Sequence, residues 1–391
     1  MAKFNSNISD LNKSYFFNEI EKKISKYNKD DLLNLGIGDI TIPLPKIVID
    51  SLKKAADDLL DENSLKGYGP NNGYDFLKKE IIDNDFNGFN FTLDEIFISP
   101  GAKYTLANIS NLFSQDNIVG ICDPTYPVYL DANIIDGRKN NIRFIPLLEE
   151  NDFQPLPPKE LLDIIYLCSP NNPIGNVIKK DVLKSWIDFA KKNSSIIIYD
   201  AAYQAFITSD LGYKSIYEID GAKDVAIEIR SFSKTAGFTS LRCSYIAIPK
   251  ELKIKDKEGF IKLNEKWERY ISAKIGGVSY PIQKAAAATY SVEGKNRIMT
   301  IIKTYKENSL ILRNGLEKLN FKVFGGIDAP FVFCKTKNNL SSWELFDVLL
   351  EKKIVTIPAS GFGKCGEGFL RLSGFAKKDV IIKALKIMEN V

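Results

Sequence analysis

An α/β fold, with a mostly parallel sheet sandwiched by helices and a smaller α+β lobe after it, is predicted by three observations on this 391-residue chain. From about residue 46, short apolar runs alternate with amphipathic helical stretches; the runs are β-branched almost throughout; and the loops that follow them hold the unusual residue combinations. Strands buried on both faces read as continuous apolar runs, and functional residues in such sheets gather at the carboxyl ends of the strands. The length exceeds what a single core accommodates, so two lobes are expected.

The elements follow in order. "PKIVIDSLKKAADDLL" from Pro45 and "YDFLKKEII" from Tyr74 carry apolar residues at helical spacing. "EIFIS", "NIVGICD", "IIYLC", "SIIIYD", "DVAIEIRS" and "RCSYIAI" are short, apolar and bounded by turn residues, the pattern of buried strands. Beyond about residue 257, "FIKLNEKWERYISAKI" and "RIMTIIKTYKENSLILRNGLEKL" predict two long helices. "FVFCK", "SSWELFDVLLEKK", "IVTIP", "GFLRLSG" and a helix from Lys377 complete the smaller lobe, with no repeat or low-complexity linker before it.

Composition excludes several functions. The chain is 45% hydrophobic and 26% charged, with no apolar run near the ~18 residues of a membrane span. Its first residues, "MAKFNSNISDLNKSYFFNEIEKK", lack the apolar core of a secretory signal. Five scattered cysteines form no C-x-x-C pair, which argues against a disulfide frame or a metal site and for a reducing cytoplasm. The net charge of +4 comes from dispersed lysines rather than a basic block, so neither nucleic acid nor a membrane is an expected partner. Histidine is absent, so proton transfer must rest on other side chains. Eight arginines stand against forty-five lysines, so an arginine inside a loop motif is wanted for its planar fork.

Two glycine-rich stretches are weak as phosphate loops. "LGIGD" at 35–39 lacks the third glycine of a dinucleotide loop, and "GKCGEG" at 363–368 lacks a closing G-K-[ST]; both read as hinges or tight turns. "CSPNNPIG" is turn-rich by composition. Its neighbours raise it, because Asn172, Asp200, Tyr203 and Lys234 leave successive strand ends in that order.

With these residues in this order, the chain resembles the pyridoxal-phosphate-dependent aminotransferases of fold type I, classes I and II. It is most similar to the LL-diaminopimelate aminotransferase family through "GIGD", "YGPNNGY", "DPTYPVY", "CSPNNPIG", "DAAYQAF", "RSFSKTAGFTSLRC", "GGVSY" and "GEGFLRLSGF". The resemblance implies an N-terminal arm and part of a small domain over 1–37, a large cofactor-binding domain over 38–271 and a small domain over 272–391. It makes Lys234 the lysine that holds the cofactor aldehyde as an imine and moves the substrate proton. Asp200 then faces the pyridine nitrogen, Tyr203 and Asn172 the phenolic oxygen, and Tyr126 the ring face. Gly101, Ala102, Lys103, Ser231, Ser233 and Arg242 form the phosphate cup, closed by Tyr68 of a second subunit. Arg371 clamps the substrate carboxylate, with Gly38, Tyr126, Asn172 and Lys103 around the substrate and Tyr15 reaching in from the other subunit. A homodimer with shared active sites follows from the resemblance.

Two departures fall on substrate selection. Where the family carries a glutamate toward the substrate's distal ammonium this chain has Asn71, and where it has an asparagine before "GVSY" this chain has Gly276. A desolvated ammonium without its partner is expensive. The resemblance therefore implies amino transfer involving glutamate and 2-oxoglutarate, and leaves two donors open: LL-diaminopimelate, or another amino acid or amine. A decarboxylase or lyase, and a non-enzymatic domain binding the same cofactor, are the other readings.

Overall fold

Along the apolar runs at 164–168 and 196–200, successive side chains enter opposite cores. Ile165, Leu167, Ile197 and Tyr199 join one buried cluster, while Ile164, Tyr166, Cys168, Ile196 and Ile198 join a second. This alternation is the period-2 geometry of a strand with no solvent face. The computed structural model describes residues 2–11, 16–209, 213–257 and 259–389.

Seven strands make the central sheet: β1 (Ile96–Ser99), β2 (Val119–Asp123), β3 (Ile142–Pro146), β4 (Ile164–Cys168), β5 (Ile196–Asp200), β6 (Ala226–Ser231) and β7 (Ser244–Ala247). Their order is β1-β7-β6-β5-β4-β2-β3, parallel except that β7 runs against both neighbours. Cys168 pairs with Asp200, and Asp200 with Ile229, so the carboxyl ends of β4, β5 and β6 finish nearly level. The loops "SPNNP", "AAYQAF" and "FSKTAGF" therefore leave one edge side by side.

A second sheet, β8 (Val323–Gly325), β9 (Phe331–Lys335), β10 (Ile357–Pro358) and β11 (Phe369–Ser373), is antiparallel in the order β8-β9-β11-β10. Leu33 and Asn34 pair in parallel with Ile354 and Val355, joining the chain's beginning to its last hundred residues. Four helices bear on the site: α1 (Phe16–Ile24), α2 (Ala102–Ile109), α3 (Val128–Ile135) and α4 (Val292–Lys318). In α4, Ser291 caps the start by accepting the Gly294 N–H at 3.0 Å. The Tyr305 hydroxyl accepts the N–H groups of Thr41 and Ile42 at 2.9 and 2.8 Å.

The chain departs from expectation at two places, near residue 260 and at "LGIGD". The long helix expected from residue 260 begins only at Leu263; Gly259–Lys262 is a strand paired with Lys253–Asp256, and the alternating "KIKD" and "GFIK" suit that ladder. "LGIGD" is no free hinge. Leu35 is fully buried, and a Cβ at Gly36 would meet Ile357 and the Thr356 carbonyl at 2.9 Å. "GKCGEG" is the tight turn expected, a 3-10 turn over Lys364–Gly366 held by the Asp123 carboxylate, which accepts the Lys364 and Cys365 N–H groups at 3.1 and 3.0 Å. Among the described residues no helix is long and apolar enough to cross a membrane.

Phe153 joins the two sheets. It is buried, adopts φ 56°, and meets Phe324, Phe333 and Phe369 edge-on at 4.9, 5.6 and 5.7 Å. Truncating a buried phenylalanine removes its contacts and leaves a void. Phe153→Ala is expected to lower stability by about 3–5 kcal/mol in urea unfolding; a change below 1 kcal/mol would mean that the two sheets are held together elsewhere.

Candidate active site

The level ends of β4, β5 and β6 form the floor of a cavity of about 520 Å³, walled by α1, the Gly36–Asp39 stretch, the start of α2 and Arg371 of β11. Cations dominate its lining, with Lys103, Lys234, Arg242 and Arg371 against Glu21, Asp39 and Asp200.

Lys234 sits on a single helical turn, Phe232–Thr235, directly after β6. Ser231 caps that turn, its hydroxyl accepting the Ser233 N–H at 3.1 Å. The Lys234 ammonium donates to the Gly38 carbonyl and lies 5.6 Å from the Phe375 ring. Burial lowers its pKa to about 8; Asp39 pulls the other way, while Arg371 and Arg242 add to the lowering. A far larger share of this amine is therefore neutral near pH 7 than of an ordinary lysine, and that share is competent as a nucleophile or base.

Asp200, buried at the end of β5, accepts the Tyr129 hydroxyl at 2.6 Å and the Ala202 N–H at 3.0 Å. Burial raises its pKa, and these two bonds oppose the rise. A carboxylate so placed favours a protonated ring nitrogen facing it. Tyr129 is held for this task by stacking on Tyr166, centroids 5.2 Å apart.

Opposite lies an anion cup. Helix α2 starts at Ala102, and the first turn of a helix has N–H groups without intrahelical acceptors. Gly101 precedes it at φ 101°, where a Cβ would collide with the Arg242 guanidinium, so glycine is required on both counts. Arg242 itself has φ 61° and donates to Ser233 Oγ at 3.4 Å and the Thr239 carbonyl at 3.1 Å. Ser231 and Ser233 are buried beside it.

Arg371, 2% exposed, donates to Asn172 Oδ1 at 2.8 Å and the Gly36 carbonyl at 3.1 Å, while its Nε has no partner among the described residues. The guanidinium lies against the rings of Phe331 and Phe362, at 4.6 and 5.0 Å. Burial draws its pKa down to about 10. A buried cation without a carboxylate is costly, and an incoming carboxylate offsets that cost. Asn172 and Tyr203 stand between Arg371 and Asp200 in the cavity wall, and burial pushes the Tyr203 phenol well up.

Of the residues singled out in the sequence, Gly38, Ala102, Lys103, Tyr126, Asn172, Asp200, Tyr203, Ser231, Ser233, Lys234, Arg242 and Arg371 line this one cavity, with Gly101 directly behind. Tyr68, Asn71 and Gly276 do not; all three are exposed. They are near one another, since a Cβ at Gly277 would lie 2.6 Å from the Pro70 carbonyl and 3.6 Å from Asn71 Cα. Tyr15 lies outside the described residues. Sequence reasoning missed Tyr129, Asp39, Phe17 and Glu21. Glu21 follows Phe17 by four on α1, a spacing that shares a helix face, but neither stood in a motif, and Tyr129 on α3 carried no local signal.

Comparison with known proteins agrees in extent and kind. Residues 30–380 match the family "Aminotransferase class I and II". The chain is 47% identical to the LL-diaminopimelate aminotransferase of Lawsonia intracellularis, covering 100% of this chain and 99% of that one. It is 44% identical to the LL-diaminopimelate aminotransferase of Methanosphaera stadtmanae, covering 98% of each. Among solved structures, the L,L-diaminopimelate aminotransferase of Chlamydomonas reinhardtii superposes with a TM-score of 0.93 at 36% identity, over 100% of this chain and 98% of the other.

The environment of Lys234 sets a pH dependence. Burial and two arginines disfavour its protonated form, so the neutral amine accumulates as pH rises through about 8 rather than through the ordinary lysine range. In cofactor-free protein, reductive labelling of Lys234 by a small aldehyde, followed by mass spectrometry, is expected to accelerate to a plateau with its midpoint near pH 8. A midpoint near 10 would mean that the amine is not desolvated.

Proposed function

The chain belongs to the class I and II aminotransferase family, and from that premise we propose that it transfers an amino group between LL-diaminopimelate and 2-oxoglutarate, with pyridoxal 5′-phosphate held in the cavity described above. The donor set fits that cofactor. Lys234 would hold the aldehyde carbon, Asp200 the ring nitrogen, Tyr203 and Asn172 the phenolic oxygen, Tyr126 the ring face, and the α2 start with Ser231, Ser233 and Arg242 the phosphate. The space kept clear by Gly101 supports the same fit. When bound, the cofactor supplies an aldehyde that condenses with amines and a ring that takes up the electron pair released at the substrate's Cα.

The chain's own groups do the rest. Arg371 binds the α-carboxylate, which orients the substrate so that the Cα proton faces Lys234. The Lys234 amine would remove that proton, aided by its lowered pKa, and would deliver it to the former aldehyde carbon of the cofactor, on the far side of the shared nitrogen. The Tyr129 and Ala202 bonds favour the charged form of Asp200 against its burial, as a protonated ring nitrogen opposite would. The single observation that carries this reading is the pairing, in one cavity, of a desolvated lysine with a buried arginine whose Nε lacks a partner among the described residues. A clamped carboxylate is retained in transamination, whereas a decarboxylase must release it.

A homodimer is part of the proposal. Tyr68, Asn71 and Gly276 form an exposed group outside the cavity of their own chain, and in this reading they complete the cavity of a second copy. The lobes divide as 1–37 and 272–391 against 38–271, and the cytoplasm is the proposed location. A second reading, transfer from a different amino acid or amine, is supported by Asn71 and Gly276, which depart from the resembled family at the same end of its substrate and lie close together, Asn71 being beside Gly277.

A half-reaction screen tests these readings. Cofactor-loaded protein is mixed separately with LL-diaminopimelate, glutamate, aspartate, lysine and ornithine, and the loss of visible absorbance is followed. Glutamate and LL-diaminopimelate are expected to respond, yielding the oxo acids. Lys234→Ala is expected to abolish turnover, and Arg371→Ala to raise the glutamate KM at least ~30-fold, the size of an unpaired buried charge. A response to another donor but not to LL-diaminopimelate selects the second reading, and carbon dioxide release without an oxo acid removes transamination.

A further inference from the structure

A second cavity, of about 940 Å³, shares a wall with the first. On the turn after β6, Ser233 and Lys234 line the first cavity, Phe232 and Thr235 line the second, and Ser231 borders both. The loop after β5 divides in the same way, with Ala202 and Tyr203 on one side and Gln204 and Ala205 on the other. The two segments that carry the strand-end residues are therefore a partition between two spaces.

The opposite wall is α4. Val292, Lys295, Met299, Ile302 and Lys306 follow one another at spacings of three and four, so one face of the helix borders the cavity. Val292 and Met299 are 79% and 60% exposed there, while Ile302 is buried. At the polar end, Asp85 accepts the hydroxyls of Tyr245 and Tyr290, each at 2.5 Å, and Arg230 is held by Glu228 and by the Lys214 carbonyl at 2.7 Å. Phe232 packs on Tyr245 and Tyr290, with centroids 5.5 and 6.0 Å away, so these rings tie the polar end to the lysine turn.

The charges left over are lysines. Lys303 and Lys306 have carboxylates near them, Glu307 at 3.9 Å and Asp328 at 3.5 Å, but Lys295 donates to the neutral side-chain oxygen of Asn84. Lys214 is exposed and has no ion-pair partner among the described residues. Both adjoin the polar end, Lys295 through Asn84 beside Asp85 and Lys214 through its carbonyl on Arg230. Counted against Asp85, Glu228, Glu307 and Asp328, the cations of this cavity keep a positive balance. Apolar walls with a few polar groups, at this volume, are the setting of a small-molecule site, and the charge selects an anion. We propose that the second cavity binds a small apolar carboxylate, with its body along Met299 and Ile302 and its charge between Lys214 and Lys295, and that the bound ligand acts on Lys234 through the shared turn. An anion beside that turn favours the protonated lysine. Occupancy thus restrains the amine without entering the cavity where it works.

Titration calorimetry of the cofactor-loaded protein compares 4-phenylbutanoate with 4-phenylbutylamine, which share an apolar body and differ in the sign of their charge. The carboxylate is expected to bind at least about fivefold more tightly, with the advantage shrinking in added salt. Met299→Glu, at an exposed position, should abolish its binding, and Lys214→Glu should remove the preference. Action on the lysine is read in cofactor-free protein. Saturating 4-phenylbutanoate should slow aldehyde labelling of Lys234 about threefold at pH 7.5, and should leave the rate unchanged in Met299→Glu, whose labelling without ligand matches that of the unmodified protein. Equal binding of the two compounds, binding that persists in Met299→Glu and so lies elsewhere, or a labelling rate indifferent to the ligand, each overturns the proposal.

Discussion

Lys234 and Arg371 share the wall of one cavity with Arg242, and the desolvation that the lysine and the buried Arg371 accept there is the constraint on which the site depends. Those two would sit more comfortably in water. All three cations are held by carbonyl and hydroxyl oxygens: Gly38 for the lysine, Thr239 and Ser233 for Arg242, Gly36 and Asn172 for Arg371. Neutral oxygens can orient a cation without cancelling its charge. The cavity therefore keeps a demand for anions at two separate points, and it lowers the basicity of the amine between them.

The fold meets that demand by aligning strand ends. Because β4, β5 and β6 finish in register, three loops with different chemistry lie side by side on one edge. Alternation along β5 and β6 also sends Asp200 and Ser231 to the same face as Tyr129, while Glu228 and Arg230 turn to the opposite face. There Arg230 pairs with Glu228 at 2.5 Å, so the strand that leads into the lysine loop is charged and satisfied on its far side. A one-residue slip of β6 would exchange these two sets.

Much of this was legible in the sequence, and the reasons can be stated residue by residue. The strands could be read because apolar runs buried on both faces leave few alternatives. Lys234, Asp200 and Arg371 could be read because their neighbours in the chain are themselves part of the site. Tyr129 was hidden, since its partner Asp200 is seventy-one positions away and nothing local distinguishes it from a core tyrosine. Glu21 was hidden for the opposite reason: a glutamate on a charged amphipathic helix reads as solvent-facing, and only the packing of α1 beside Phe362 gives it a cavity. The hairpin of Lys253–Asp256 with Gly259–Lys262 was missed because its residues continue, without a break, into the helical pattern that follows.

The pairing of Leu33 and Asn34 with Ile354 and Val355 bears on the order in which the molecule is made. The wall that contains Phe17 and Gly36 belongs to the first tenth of the chain, and Arg371 to the last. On a ribosome the seven-stranded sheet emerges whole, lysine loop included, well before residue 371 is synthesised. Throughout that interval the loop is exposed on an unfinished edge with no guanidinium opposite. The growing chain therefore carries its desolvation-prone amine before it has the buried guanidinium that faces the same cavity, and that guanidinium is the last of the cavity's cations to be made.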